Sequence, residues 1–200
     1  MQILYETGLT IPQYIEQRAW EQAKLDHCPF HPEGGCGLAK HGTYSRKFPE
    51  YCLIARWYCP QAHQSISLLP DAFACRFPGT LDDIEEVVHI AESYSSQEKA
   101  AAELRPEITL PSALRWLRRR LRHILEILTT VKGIVGIPCP PVLTSWRHHF
   151  ATQKLLQRLR FLMTDHLHAL PPLLGFRSRS SSRYSTKLPS NNQWGLSSIS

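Results

Sequence analysis

The sequence predicts an α+β protein: a small N-terminal β-rich unit, then a mainly α-helical region, then a disordered C-terminal tail. Three observations predict it. Residues 27–70 hold four of the six cysteines, several glycines and short strand-like runs such as "CLIARWYC". Beyond residue 80 the apolar side chains recur with the 3.6-residue period of a helix. From Phe176 onward serine, arginine and asparagine dominate, and such a composition cannot bury enough apolar surface to order a chain.

Residues 1–26 read as a partly helical N-terminal arm, running into polar "EQAKLDH". Residues 27–72 form the β-rich unit. Residues 78–133 contain three helices. In "TLDDIEEVVHIAESY" the apolar positions are Leu81, Ile84, Val87, Val88, Ala91 and Tyr94. Thr80 suits the N-cap, and Asp82 and Asp83 suit the positive end of the helix dipole. Ser95 with Glu98 fits a capping box for a short alanine-rich helix. After the break "PEITLP" a third helix starts near Pro111 or Ser112. Its core face is Leu114, Leu117, Leu121, Ile124 or Leu125, and Leu128, and Gly133 is its expected stop. A proline-rich connection over 134–143 leads to the region 142–172. There a last helix is expected over about 145–169, with Leu155, Leu159, Leu162, Leu167 and Leu170 apolar and Pro171 and Pro172 ending it. The tail takes 173–200.

The net charge is +6, which favours polyanionic partners, but its placement says more. Residues 82–103 are mainly acidic, whereas Arg115, Arg118, Arg119, Arg120 and Arg122 lie together with no acid among them. The N-terminus shows no basic start followed by an apolar run, and no segment approaches the roughly 20 apolar residues that span a bilayer. A cytoplasmic location without a membrane partner is therefore expected. In that setting cysteines act as thiols or metal ligands more than as disulfides.

The metal signal lies in two places. "YCPQAH" offers Cys59 and His63, and "CPFHPEGGCG" offers Cys28, His31 and Cys36. Thiolate and imidazole suit tetrahedral Zn2+, and such an ion replaces the core that a small β unit lacks. Cys36-Gly37 has the form of a knuckle end, where glycine lets backbone N–H groups turn toward sulfur. The expected ligands are Cys28, Cys36, Cys59 and His63, with His31 as the substitute for the fourth. The competing reading is a set of buried thiols acting as small hydrophobes, or a ribbon that has lost its metal and kept its fold. Cys75 and Cys139 are expected in the core.

The three helices have the order and lengths of a helix-turn-helix unit, whose third helix enters the major groove of double-stranded DNA. Ser112 and Arg115 come early enough in it to reach bases. Arg115, Arg118, Arg119 and Arg122 lie on the side away from the leucines, and Arg119, Arg120 and Arg122 are expected to meet phosphates. Trp116 fits either the core edge or the DNA backbone. The bland alternative is a solvated basic helix in a bundle. "RPEITLP" is longer than the usual 3–4-residue turn and departs from standard docking geometry. His148, His149, His166 and His168 have no cysteine or carboxylate at a ligand spacing and are expected on the surface.

The motifs "CPFHPEGGCG", "HGTYSRK", "IARWYCP", "SLLPD", "GTLDDIEEVV", "AAAELRP" and "LRWLRRRL" occur in this order. In them the chain resembles a group of uncharacterised bacterial insertion-sequence proteins, similar to the zinc-ribbon and helix-turn-helix front end of transposases. The resemblance covers roughly residues 25–175. It implies DNA binding linked to a mobile element, and zinc on Cys28, Cys36, Cys59 and His63. The chain departs at Ala62-His63, where many ribbons have C-x2-C.

Catalysis is not expected. An RNase H-like transposase needs three carboxylates around two metal ions on a strand-helix core. Asp165 is the sole aspartate after Asp83, and Glu126 is the last glutamate. The reading is a non-catalytic DNA-binding accessory, regulator or remnant of a transposase, with no small-molecule substrate. The alternative is a protein-interaction module docking on a catalytic partner without touching DNA.

Overall fold

The structure, a computed structural model, describes residues 1–176. It is α+β, with a four-stranded sheet followed by helices. The strands are β1 (Gln2–Tyr5), β2 (Ala39–Ser45), β3 (Leu53–Cys59) and β4 (Gln64–Pro70), in the spatial order β1-β4-β3-β2. β2, β3 and β4 form an antiparallel meander, and β1 adds to β4 in parallel. The β2 register shifts between Lys40 and Thr43, where Gly42 takes a left-handed φ of 79° that favours a residue without Cβ.

The first 26 residues, expected as an arm, instead belong to this layer. Beyond β1 they form α1 (Ile11–Glu16) and α2 (Ala19–Gln22). Thr10 and Gln13 close a capping box on α1. Tyr14 and Trp20 are buried with Ile54, Leu68, Leu69 and Phe73. The aromatic anchors explain the difference: Tyr14 and Trp20 carry enough apolar area to dock the segment.

Helix α3 (Leu81–Glu92) starts on Thr80, whose hydroxyl accepts from Asp83 N–H while the Asp83 carboxylate accepts from Thr80 N–H. Helix α4 (Gln97–Leu104) is capped by Ser96, one residue later than the expected Ser95. Helix α5 (Leu110–Val135) is longer at both ends than its sequence cues indicate. Gly133 lies inside it, and Gly136, at φ 74°, ends it. Ala100, Ala101, Ala113 and Leu117 are fully buried where α4 meets α5, so the small alanines set a close approach.

The expected helix over 145–169 is two helices, α6 (Leu143–His149) and α7 (Leu155–Leu162), with a 3-10 turn at Thr164–His166. Ala151 adopts φ 46°, which an α-helix cannot contain. Two acids of α3 replace the continuity that was lost. Glu92 accepts from Leu143 N–H at 2.8 Å and Thr144 N–H at 2.9 Å, capping α6. Glu85, only 1% exposed, accepts from Leu155 N–H, Leu156 N–H and Arg147 Nε–H, each at 2.8 Å. The acidic helix is thus partly a capping device, not merely a solvated face.

The helical core gathers Phe77, Leu81, Ile84, Val88, Ile124, Ile127, Leu128, Val131, Trp146, Leu155 and Leu159. Cys75 and Cys139 are buried, as expected. Leu173 and Leu174 are buried in this core too, and Leu173 pairs with Cys75 through backbone hydrogen bonds. The tail therefore does not begin at 173; residues 177–200 lie outside the described part. No described helix is long and apolar enough to cross a membrane.

Candidate metal centre and basic helix

Cys28, His31, Cys36 and Cys59 come together at the end of the β3–β4 hairpin, with their ligand atoms all within 4.8 Å of one another. Local backbone geometry builds the first half. His31 N–H donates to Cys28 C=O at 3.1 Å, and Gly34 N–H donates to His31 C=O at 3.0 Å. This tight turn puts both side chains on one side, and Gly34 and Gly35, at φ 84° and 75°, bring Cys36 back. Gly37 is also left-handed, and a Cβ there would stand 3.3 Å from the Pro60 ring. The two knuckles therefore touch at a position that favours glycine.

Cys59 ends β3. His63 N–H donates to Pro60 C=O at 3.3 Å, and Ala62 N–H points at the Cys59 sulfur at 3.4 Å. His31 Nδ1 lies 3.6 Å from Cys28 Sγ and 3.3 Å from Cys59 Sγ. A four-coordinate ion with M–S about 2.3 Å and M–N about 2.0 Å gives S···N edges of roughly 3.5 Å. Three soft sulfurs and one imidazole nitrogen at these spacings can hold a metal ion.

The fourth donor is His31, not the expected His63. His63 is exposed, and its backbone at φ 49° turns the chain into β4. Its ring lies 3.4 Å from the Tyr58 hydroxyl, outside the cluster. The other three expected ligands, Cys28, Cys36 and Cys59, are where the spacing put them. The sequence did carry the signal: Cys28-x2-His31 has the separation of an ordinary knuckle, while Cys59-x3-His63 is one residue too long.

The thiols are not equivalent. Burial works against ionising Cys28, but the His31 ring, the Phe30 backbone and the Cys59 and Cys36 thiols outweigh it and hold the group at about 7. Cys36 moves the opposite way, pushed up by burial and by its hydrogen bond with Cys28. One thiolate forms first and its neighbours donate to it. Cys52 lies elsewhere in the sheet core, where burial pushes its thiol to about 11.

Along α5, Leu117, Ile124 and Leu128 are buried, while Arg115, Arg118, Arg119 and Arg122 are exposed. Arg115 donates to Ser112 Oγ at 3.1 Å. Arg118 is tied to α4, donating to Gln97 at 3.1 Å and lying 3.5 Å from Glu98. Arg122 lies 3.9 Å from Glu126. Arg120, expected as a phosphate contact, is turned inward. It is half-buried, 4.0 Å over the Trp116 ring and 5.3 Å over Phe77, and donates to Trp116 C=O. Burial, with Arg105 and Arg119 nearby, pushes its guanidinium down to about 10, which leaves it charged at neutral pH. Trp116 is therefore a stacking partner for Arg120 and Arg105. His148, His149, His166 and His168 are exposed. Comparison with protein-family models, with curated proteins and with solved structures finds no match for the chain.

Proposed function

We propose that the protein is a non-catalytic, zinc-stabilised module that binds double-stranded DNA through α5, serving a mobile element as an accessory, a regulator or a remnant of a transposase. The observation that carries this reading is the divided surface of α5. One side supplies Leu117, Ile124 and Leu128 to the core, and the other displays Arg115, Arg118, Arg119 and Arg122. Such a face matches a row of phosphates. Arg115 and Ser112, near the start of α5, stand where base contacts are made in helix-turn-helix proteins.

Zinc suits the Cys28, His31, Cys36 and Cys59 set because thiolate and imidazole favour it and all four positions are protein ligands, the pattern of a closed structural site. Its work would be to fix the hairpin end, not to activate water. The non-catalytic reading is supported by the employment of Glu85 and Glu92, whose carboxylates are already taken up by helix capping. The insertion-sequence association rests on the resemblance of the ordered motifs alone.

The test is duplex binding by zinc-loaded protein across a salt series. Affinity should fall steeply with salt, and Arg115→Ala with Arg119→Ala should weaken it together. Unchanged binding in the double variant would overturn the role of α5. A stable complex with a transposase, and no duplex binding even at low salt, would favour the interaction-module reading instead.

A further inference from the structure

We propose that a second cationic element, a pocket between the β2–β3 hairpin and the loop entering α3, seats a DNA backbone phosphate beside α5. This rests on the DNA-binding reading. The cavity measures about 280 Å³ and is lined by Arg46, Lys47 and Arg76, with Gln2, Tyr44 and Phe77 among its other walls. Among the described residues, three cations line it and no carboxylate does.

The three cations have different tasks. Arg46 holds the floor: its guanidinium donates to Ala74 C=O at 3.4 Å and Phe77 C=O at 2.7 Å and stacks 4.9 Å over Phe73. Burial lowers its pKa, but a guanidinium keeps its charge at neutral pH. Lys47 and Arg76 are exposed at the mouth. Gln2 Oε1 accepts from the Cys75 thiol at 3.0 Å, so its amide NH2 is the end left to donate into the pocket.

Phe77 connects this pocket to α5. Its ring carries the Arg119 guanidinium at 5.0 Å and that of Arg120 at 5.3 Å. The positive surface therefore runs from the hairpin across one aromatic ring onto the basic helix. Phe48, 51% exposed, and Tyr51, 84% exposed, stand on the same hairpin loop and offer flat apolar faces to a sugar-phosphate chain. A polyanion with regularly spaced phosphates can engage both cationic groups at once, and a single free phosphate cannot.

The experiment uses full-length zinc-loaded protein, a labelled duplex and a salt titration. Lys47→Ala and Arg76→Ala should each weaken binding roughly eightfold at 0.1 M salt, following a counterion-release slope of about 0.9 per phosphate. The slope should fall by about one for each, equally for unrelated duplex sequences. Lys47→Arg should retain both affinity and slope. If wild type binds duplex and the Lys47→Ala/Arg76→Ala double variant does so unchanged, the pocket is not a DNA contact while the α5 reading stands. If wild type binds no duplex, both fall. Inorganic phosphate alone should perturb the pocket's amide resonances only weakly; tight binding of free phosphate that leaves DNA affinity untouched would also overturn the proposal.

Discussion

The imidazole Nδ1 of His31 stands 3.3 Å from the sulfur of Cys59, across 28 residues of chain. This pairing joins the two knuckles and makes His31, not His63, the nitrogen donor of the cluster.

It follows that His31→Ala should cost more metal affinity than the roughly 10–100-fold typical of losing an outer-shell partner. His63→Ala should leave the metal content unchanged, because its ring meets the Tyr58 hydroxyl and stands outside the cluster. Elemental analysis and chelator competition on both variants decide between them. Equal losses would show that the two histidines had been wrongly distinguished.

Acid should release the metal and weaken the metal-free fold through the same thiol. Cys28 is depressed from an ordinary 9.0 to about 7. A depressed acid stabilises the fold fully above its unfolded value, and that contribution disappears as pH falls through the folded value. Metal-free protein should therefore gain stability between about pH 7 and 9, and Cys28→Ser should flatten the rise. Denaturant midpoints over this range measure it; an identical rise in the serine variant would point to another group.

Removing the Glu85 carboxylate should be severe. Glu85→Ala takes from the buried Arg147 its 2.8 Å partner and leaves two helix N–H groups unpaired, a loss on the order of 3–5 kcal/mol. Glu86, whose side chain is 59% exposed and lies 3.6 Å from the same arginine, should cost about 0–1 kcal/mol on replacement by alanine. Comparable chemical-denaturation midpoints for the two variants would contradict the assigned roles.

Arg119 and Arg120 adjoin in sequence but should separate in experiment. Arg119→Ala should lower the DNA salt slope by about one and cost only about 0.5 kcal/mol, the low end for an exposed contact such as the one it makes with Phe77. Arg120→Ala removes stacking on Trp116 and Phe77 and should cost about 1 kcal/mol of stability. Thermal melts beside binding titrations will show whether the two effects divide this way.

Much of this organisation was legible in the chain. Periodicity placed α3 and the core face of α5, and Thr80 with Asp83 marked the start of α3. Three cysteines of the cluster followed from the knuckle-like turns. What escaped was long-range. The choice of His31 over His63 depends on a positive φ that histidine rarely advertises. The parallel docking of β1 on β4 depends on a partner more than 60 residues away, with Gln2 facing Ser67. The break at Ala151 was hidden because Trp146 and Phe150 before it, and Leu155 and Leu159 after it, each keep a four-residue helical spacing. The stacking of Arg120 on Trp116 and Phe77 needed the fold, since a basic run alone does not say which arginine turns inward.

The capture of Leu155 and Leu156 amides by Glu85 also bears on how the molecule opens. A free eight-residue helix would fray in microseconds, and its first amides would exchange fastest. Here those amides are held by a carboxylate 70 and 71 residues upstream, and freeing them would strip a buried group of two of its three donors. The start of α7 should therefore exchange its hydrogens only when α3 itself comes apart. One short helix of the helical half is thus set to the clock of a longer one, 12-residue α3.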